Sequence, residues 1–138
     1  MVQTFAKVFG IVYLIIGILG FIPGLVQPMA GGPGLAVEAG YGRLLGMFPV
    51  NLIHNLIHIA VGVWGIFAAR SIPRAVTFAR ANAVLFAVLF LLGIIPATNT
   101  LFGLAPLFGL DIWLHLLSAA VAGYFGFAAA ARVHAWHT

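Results

Sequence analysis

Four long apolar runs limit what this chain can fold into. They lie at about residues 4–26, 49–69, 75–95 and 111–131, and each has about the 20 residues that a helix needs to cross a bilayer. A segment inside lipid must satisfy its own backbone hydrogen bonds, and these runs lack the polar alternation of barrel strands. The sequence therefore predicts an all-α fold, a four-helix transmembrane bundle, as one integral membrane domain over residues 1–138.

Composition agrees with a membrane location. Only 6% of the residues are charged and 64% are hydrophobic, whereas an ordinary soluble domain has about 25% charged residues. A small soluble domain leaves much of its surface in water, and these charges are too few to cover it. The net charge of +4 comes from basic residues scattered among apolar runs, so we expect no binding of nucleic acid. The chain has no cysteine, which excludes disulfides and thiolate metal sites.

Basic residues are distributed unevenly between the two ends of the predicted helices. Only Arg43 lies on the side of the first and third loops, together with both acidic residues. Because positive residues concentrate on the cytoplasmic side of membrane proteins, the opposite side and both termini are predicted to be cytoplasmic. The basic residues on that side are Lys7, Arg70, Arg74, Arg80 and Arg132.

Prolines and one acidic residue mark the expected helix ends. Pro49 suits the first turn of the second helix, where a missing N–H is tolerated. Pro73 is expected in a tight turn between the second and third helices, and Pro96 is expected to end the third. Asp111 lies at or near the N-cap of the fourth helix, where its carboxylate would accept unpaired backbone N–H groups.

The two halves of the chain resemble each other. Leu-Gly-Phe-Ile-Pro at residues 19–23 corresponds to Leu-Gly-Ile-Ile-Pro at residues 92–96, and Phe-Ala-Ala recurs at 67–69 and 127–129. Two tandem helical hairpins related by a pseudo-twofold axis along the membrane normal would produce this pattern. Chance matches between apolar segments would also produce it, and both interpretations stay open.

The few polar side chains in these runs follow a helical period. The second run has Asn51, His54, Asn55 and His58 on one helical face, and the fourth has Asp111, His115 and Ser118 on one face. Both helices start at the same surface, so equal distance from the start means similar depth. Because unpaired polar groups in lipid are unfavourable, the two faces are predicted to meet as a cluster between helices two and four, in the outer half of the bilayer.

The sequence resembles a known family at these residues. The motif Asn-x-x-His-Asn-x-x-His at residues 51–58, Asp-x-x-x-His at 111–115 and the glycine-containing opening at 9–21 look like the bacterial four-helix membrane proteins called domain of unknown function 4383. The resemblance covers nearly the whole chain. It implies a multi-pass protein of the bacterial plasma membrane and supplies no established activity.

Three interpretations of the polar cluster stay open. The first is structural, because asparagine, histidine and serine commonly hydrogen-bond between membrane helices, and it makes the protein structural or accessory. In the second, His54, His58 and His115 bind a transition metal with Asp111 as a fourth ligand or a supporting group, or histidines of the two helices hold a haem. In the third, the cluster is a proton or small-solute pathway.

Catalysis is not expected from this sequence. No nucleophile–base pair is recognisable, and the histidine pair lacks the glutamate that accompanies it in zinc hydrolases. The expected partners are the lipid bilayer and either further copies of the chain or a larger membrane complex.

Overall fold

The computed structural model describes residues 1–130 of the chain. Its four helices are α1 (Val2–Leu19), α2 (Leu52–Ala68), α3 (Ile72–Ile94) and α4 (Asp111–Gly123), and α4 continues as a π-helical turn over Tyr124–Ala128. The predicted all-α, four-helix architecture is confirmed. Arg132 and the predicted end of the fourth run at residue 131 lie outside the described residues.

Three of the helices are long and apolar enough to cross a membrane, namely α1, α3 and α4 with its π-helical turn. α2 has 17 residues, at the lower end of the range of about 17–25 for a spanning helix. α2 is shorter than its predicted run because Pro49 lies in a β-strand and not in a first helical turn. Pro73, in turn, lies in the first turn of α3 and not in a loop. Both predictions are wrong, whereas α3 ends just before Pro96 as predicted.

A small antiparallel sheet lies at one end of the bundle and was not predicted. β1 (Val26–Pro28) pairs with β2 (Gly42–Leu44), which also pairs with β3 (Phe48–Val50). Strands of three residues are too short to show an alternation of polar and apolar side chains in the sequence. The first helix also ends at Leu19 and not at the predicted residue 26. We call the end of the bundle that carries this sheet the capped end, and the opposite end the N-terminal end.

The helices form two hairpins. α1 packs along α2, and α3 packs along α4. Gly10 of α1 faces Gly62 and Gly65 of α2, and a Cβ on Gly10 would lie 2.7 Å from the carbonyl oxygen of Gly62. The pseudo-twofold axis between the hairpins stays a prediction. The core is built mainly of aromatic and alanine side chains, including Phe5, Ala6, Ala75, Phe78, Ala79 and Phe86.

Gly10→Ala is expected to lower the free energy of unfolding by about 1–3 kcal/mol, because the new methyl group forces α1 and α2 apart. The measurement is the thermal unfolding midpoint of the purified protein in detergent. Gly24→Ala is the matched control, since a Cβ there meets nothing within 4 Å. Equal unfolding midpoints for the two variants would contradict the close approach of the helices.

Candidate metal centre

All of the residues predicted to form the polar cluster are buried. Each is exposed by 5% or less of its surface, although such side chains are rarely so deeply buried without partners. They lie on the first two turns of α2 and α4, in the half of the bundle next to the capped end. These residues are Asn51, His54, Asn55, His58, Asp111, His115 and Ser118.

Four of these side chains converge. Nε2 of His54 lies 3.0 Å from Nε2 of His58, one turn further along α2. Oδ2 of Asp111 lies 3.5 Å from Nε2 of His54 and 3.2 Å from Nε2 of His115. The three histidines each bring one ring nitrogen within 4.8 Å of the other two. The cluster therefore has donor atoms from α2 and from α4 around one point.

Asp111 turns its carboxylate towards the histidines. It is the first residue of α4, next to the N-cap residue Leu110, so its predicted position at or near the N-cap is confirmed. The predicted capping hydrogen bond is wrong, because the start of α4 has no side-chain cap. Within residues 1–130, Oδ2 of Asp111 has no partner with hydrogen-bond geometry. A buried carboxylate oxygen without a hydrogen bond is unfavourable unless a cation or another donor reaches it. The oxygen is therefore placed as a ligand would be.

The structure places Asn55 and Ser118 at the edge of this group. Nδ2 of Asn55 donates to the carbonyl oxygen of Gly20 at 2.9 Å, at the end of α1. The hydroxyl groups of Ser118 and Tyr13 share a hydrogen bond of 2.5 Å. Both side chains therefore connect α1 to the other helices and lie outside the donor set.

Asn51 holds the capped end together. Its Oδ1 accepts a hydrogen bond from the backbone N–H of His54 at 2.9 Å, which caps α2. Its Nδ2 donates to the carbonyl oxygens of Val37 and Leu104 at 2.9 and 2.8 Å. These carbonyls belong to the two loops at the capped end, so Asn51 fixes both loops to the start of α2. We assign it a positioning role.

Tyr13 and Phe86, which pack against the histidines, and the buried Asn82 of α3 were not predicted as site residues. Tyr13 packs its ring against His58 with centroids 5.1 Å apart, and Phe86 packs against His115 at 5.6 Å. Asn82 is buried in α3 and donates to the carbonyl oxygen of Phe78 at 2.8 Å. A signal was available for Tyr13, since it lies well inside a spanning run and not at the interface where membrane tyrosines concentrate.

The cavity at the histidines is small. It has a volume of about 20 Å³, and its walls include His54, His58, His115, Phe86 and Leu101. A cavity of about 10–15 Å³ already holds one water, so a single ion fits. Sites for small organic molecules measure about 300–1,000 Å³, so this arrangement does not fit a haem.

The curated proteins and the solved structures gave no match to this chain. The sequence model of a family described as a domain of unknown function, DUF4383, matches residues 3–128, which include the four helices and every residue of the cluster. The family that the sequence motifs indicated is therefore confirmed, and the chain belongs to the DUF4383 family.

Proposed function

We propose that this is a membrane protein that binds one transition-metal ion through His54, His58 and His115, with the carboxylate of Asp111 as the fourth ligand. The observation that carries the proposal is the convergence of three buried imidazoles within 4.8 Å beside a carboxylate oxygen that has no partner with hydrogen-bond geometry within residues 1–130. Three nitrogen ligands and one oxygen ligand are a common set for zinc, and imidazole also suits copper, iron and nickel.

The distances are close to those of a filled site. Metal–nitrogen bonds of about 2.0–2.1 Å at tetrahedral angles place neighbouring nitrogens about 3.3 Å apart. His54 and His58 are already 3.0 Å apart at Nε2, and the widest separation in the set is 4.8 Å. Small rotations of the side chains therefore suffice to bring all three nitrogens onto one ion.

Charge also favours an ion over hydrogen bonding alone. A carboxylate in an apolar interior is unfavourable unless an opposite charge compensates it, and a divalent cation does so. A cluster that served only to join helices would have its buried carboxylate hydrogen-bonded. Oδ2 of Asp111 has no partner with hydrogen-bond geometry within residues 1–130.

A proton or solute pathway is less well supported. Below His58 and Ser118, towards the N-terminal end, the core consists of side chains such as Phe5, Phe78 and Ala79. Asn82 is the one buried polar side chain that residues 1–130 place in that core. A relay needs polar groups or water across the bundle, and an aromatic core interrupts both.

Elemental analysis tests the proposal. The protein is purified in detergent from cells grown with trace zinc, copper, iron and nickel, dialysed without chelator and measured by mass spectrometry. We expect about one ion per chain. Protein that is folded and free of metal, and that does not take up an ion when each metal is added, would contradict the proposal.

We also propose four membrane crossings in a bacterial plasma membrane, with both termini cytoplasmic. This is supported by the basic residues at the N-terminal end of the bundle and by the pairing of the shorter α2 with α1. No enzymatic activity is proposed.

The chain lacks cysteine, so a single introduced cysteine reports the orientation. Ala30→Cys, in the loop at the capped end, is expected to react with a membrane-impermeant maleimide in intact cells. Ser71→Cys, between α2 and α3, is expected to react only after permeabilisation. The reverse pattern would show that the termini face outwards. Labelling of both cysteines in intact cells would contradict a membrane crossing by α2.

A further inference from the structure

A long apolar groove lies between α1 and α4 on the outside of the bundle. Its volume is about 630 Å³. Its floor is formed by Phe5 stacked on Phe125 at 4.7 Å and by the hydrogen-bonded pair of Tyr13 and Ser118. The walls come from both helices and include Thr4, Val8, Val12, Leu117 and Val121.

We propose that this groove holds one acyl chain of an anionic phospholipid from the leaflet at the N-terminal end. The groove ends at Tyr13, which packs against His58, but it contains none of the proposed metal ligands, so each proposal is tested without the other. Apart from Thr4 at its N-terminal end, the groove is walled by apolar side chains, and the buried polar pair of Tyr13 and Ser118 is hydrogen-bonded internally. Such a surface offers a polar ligand few hydrogen bonds, so burial of a polar ligand there is unfavourable.

The length of the groove selects an acyl chain. It follows α1 from Met1 to Tyr13, a distance of about 18 Å at 1.5 Å per residue. The hydrocarbon core of a bilayer is about 30 Å thick, so one leaflet contributes about 15 Å. A chain that enters at the N-terminal end therefore reaches the Tyr13–Ser118 pair near the middle of the bilayer.

The charge at the N-terminal end of the bundle favours an anionic headgroup. Of residues 1–130, four basic residues lie at the N-terminal end of the bundle, whereas both acidic residues of the chain, Glu38 and Asp111, lie at the capped end. Anionic headgroups are attracted to such a basic end. The basic residues are Lys7, Arg70, Arg74 and Arg80.

Arg80 of α3 packs on the π-helical turn that contains Phe125. Its Nε donates to the carbonyl oxygen of Gly126 at 2.8 Å, and its guanidinium lies 5.3 Å from the ring centroid of Phe127. Both partners belong to the π-helical turn that follows α4, next to Phe125 in the groove. The exposed cation is therefore fixed within about one helix diameter of the groove.

Native mass spectrometry of chelator-treated protein in detergent tests the proposal, with equal amounts of phosphatidylglycerol and phosphatidylcholine added. Val12→Trp fills the groove, and Val88→Trp is the matched control on the surface of α3, because both valines are 47% exposed. We expect the wild type and Val88→Trp to retain one phosphatidylglycerol, and Val12→Trp to retain at least tenfold less. Val8→Trp, in the same wall, serves if Val12→Trp does not fold.

Two results would overturn the proposal. Equal retention of phosphatidylglycerol by the groove variants and by Val88→Trp would show that the lipid binds elsewhere. Equal retention of phosphatidylglycerol and phosphatidylcholine by the wild type would show that the basic end does not select the headgroup. Either result leaves the metal proposal untouched, because the protein in this experiment carries no metal.

Discussion

His58→Ala is expected to weaken zinc binding by at least about 100-fold. Loss of a group that merely supports a metal ligand lowers affinity by about 10–100-fold, and His58 is proposed to be a ligand itself. Its Nε2 lies 3.0 Å from that of His54, so its removal also breaks the pair that would chelate the ion from one helix. The measurement is a competition titration with a chromogenic chelator, on protein first stripped of metal.

Asn55→Ala is the matched control for this experiment. Asn55 is as buried as the histidines and lies next to His54 on α2, but its side chain bonds to Gly20 of α1. We expect this variant to lose stability and to keep its zinc affinity. Equal zinc affinities for the wild type and His58→Ala would show that the three histidines do not act together.

Zinc is expected to stabilise the stripped protein against heat, and Asp111→Asn is expected to remove much of that gain. An ion present at about 1,000 times its dissociation constant adds about 4 kcal/mol to the free energy of unfolding. Asparagine has nearly the shape of aspartate but lacks the charge that offsets the cation, so we expect about 10–100-fold weaker binding. The measurement is the unfolding midpoint with and without zinc.

The structural alternative predicts a different result for the same variant. If Asp111 only joins helices, Asp111→Asn shifts the midpoint equally with and without zinc, and the wild type gains nothing from the ion. The size of the zinc-induced shift therefore separates the two accounts. We expect zinc to raise the unfolding midpoint of Asp111→Asn by less than it raises that of the wild type, even if the two metal-free proteins differ in stability.

The sequence was sufficient to predict the main parts of the site. His54 and His58 are one helical turn apart, and His115 lies at the same depth on α4, so helical period and span direction place them together. Asn55 shares the predicted face but lies about 100° round the helix from His54. It points to α1, and no pattern in one helix tells which neighbour lies on which side.

The rest of the fold depends on contacts that leave no local pattern. The strands that contain Pro28 and Pro49 have three residues each, which is too short for a sequence pattern, and a proline is typical of a loop or a helix end. Their extended conformation depends on pairing with β2. The sheet tolerates both prolines because they lie on edge strands, where a missing N–H interrupts no hydrogen bond between strands. The contacts of Asn51 with the two loops could not be predicted either, because its hydrogen bonds to Val37 and Leu104 join segments that are far apart in the sequence.

X-ray absorption at the zinc edge reports the atoms bound to the ion, so it is the most direct test of a metal site shared by α2 and α4. For zinc-loaded wild-type protein we expect three imidazole nitrogens and one oxygen at about 2.0–2.2 Å from the zinc ion. The imidazole contribution is to fall in His115→Ala. A spectrum of zinc surrounded only by water oxygens, or one with the same imidazole contribution in His115→Ala, would contradict a shared site of His54, His58, His115 and Asp111.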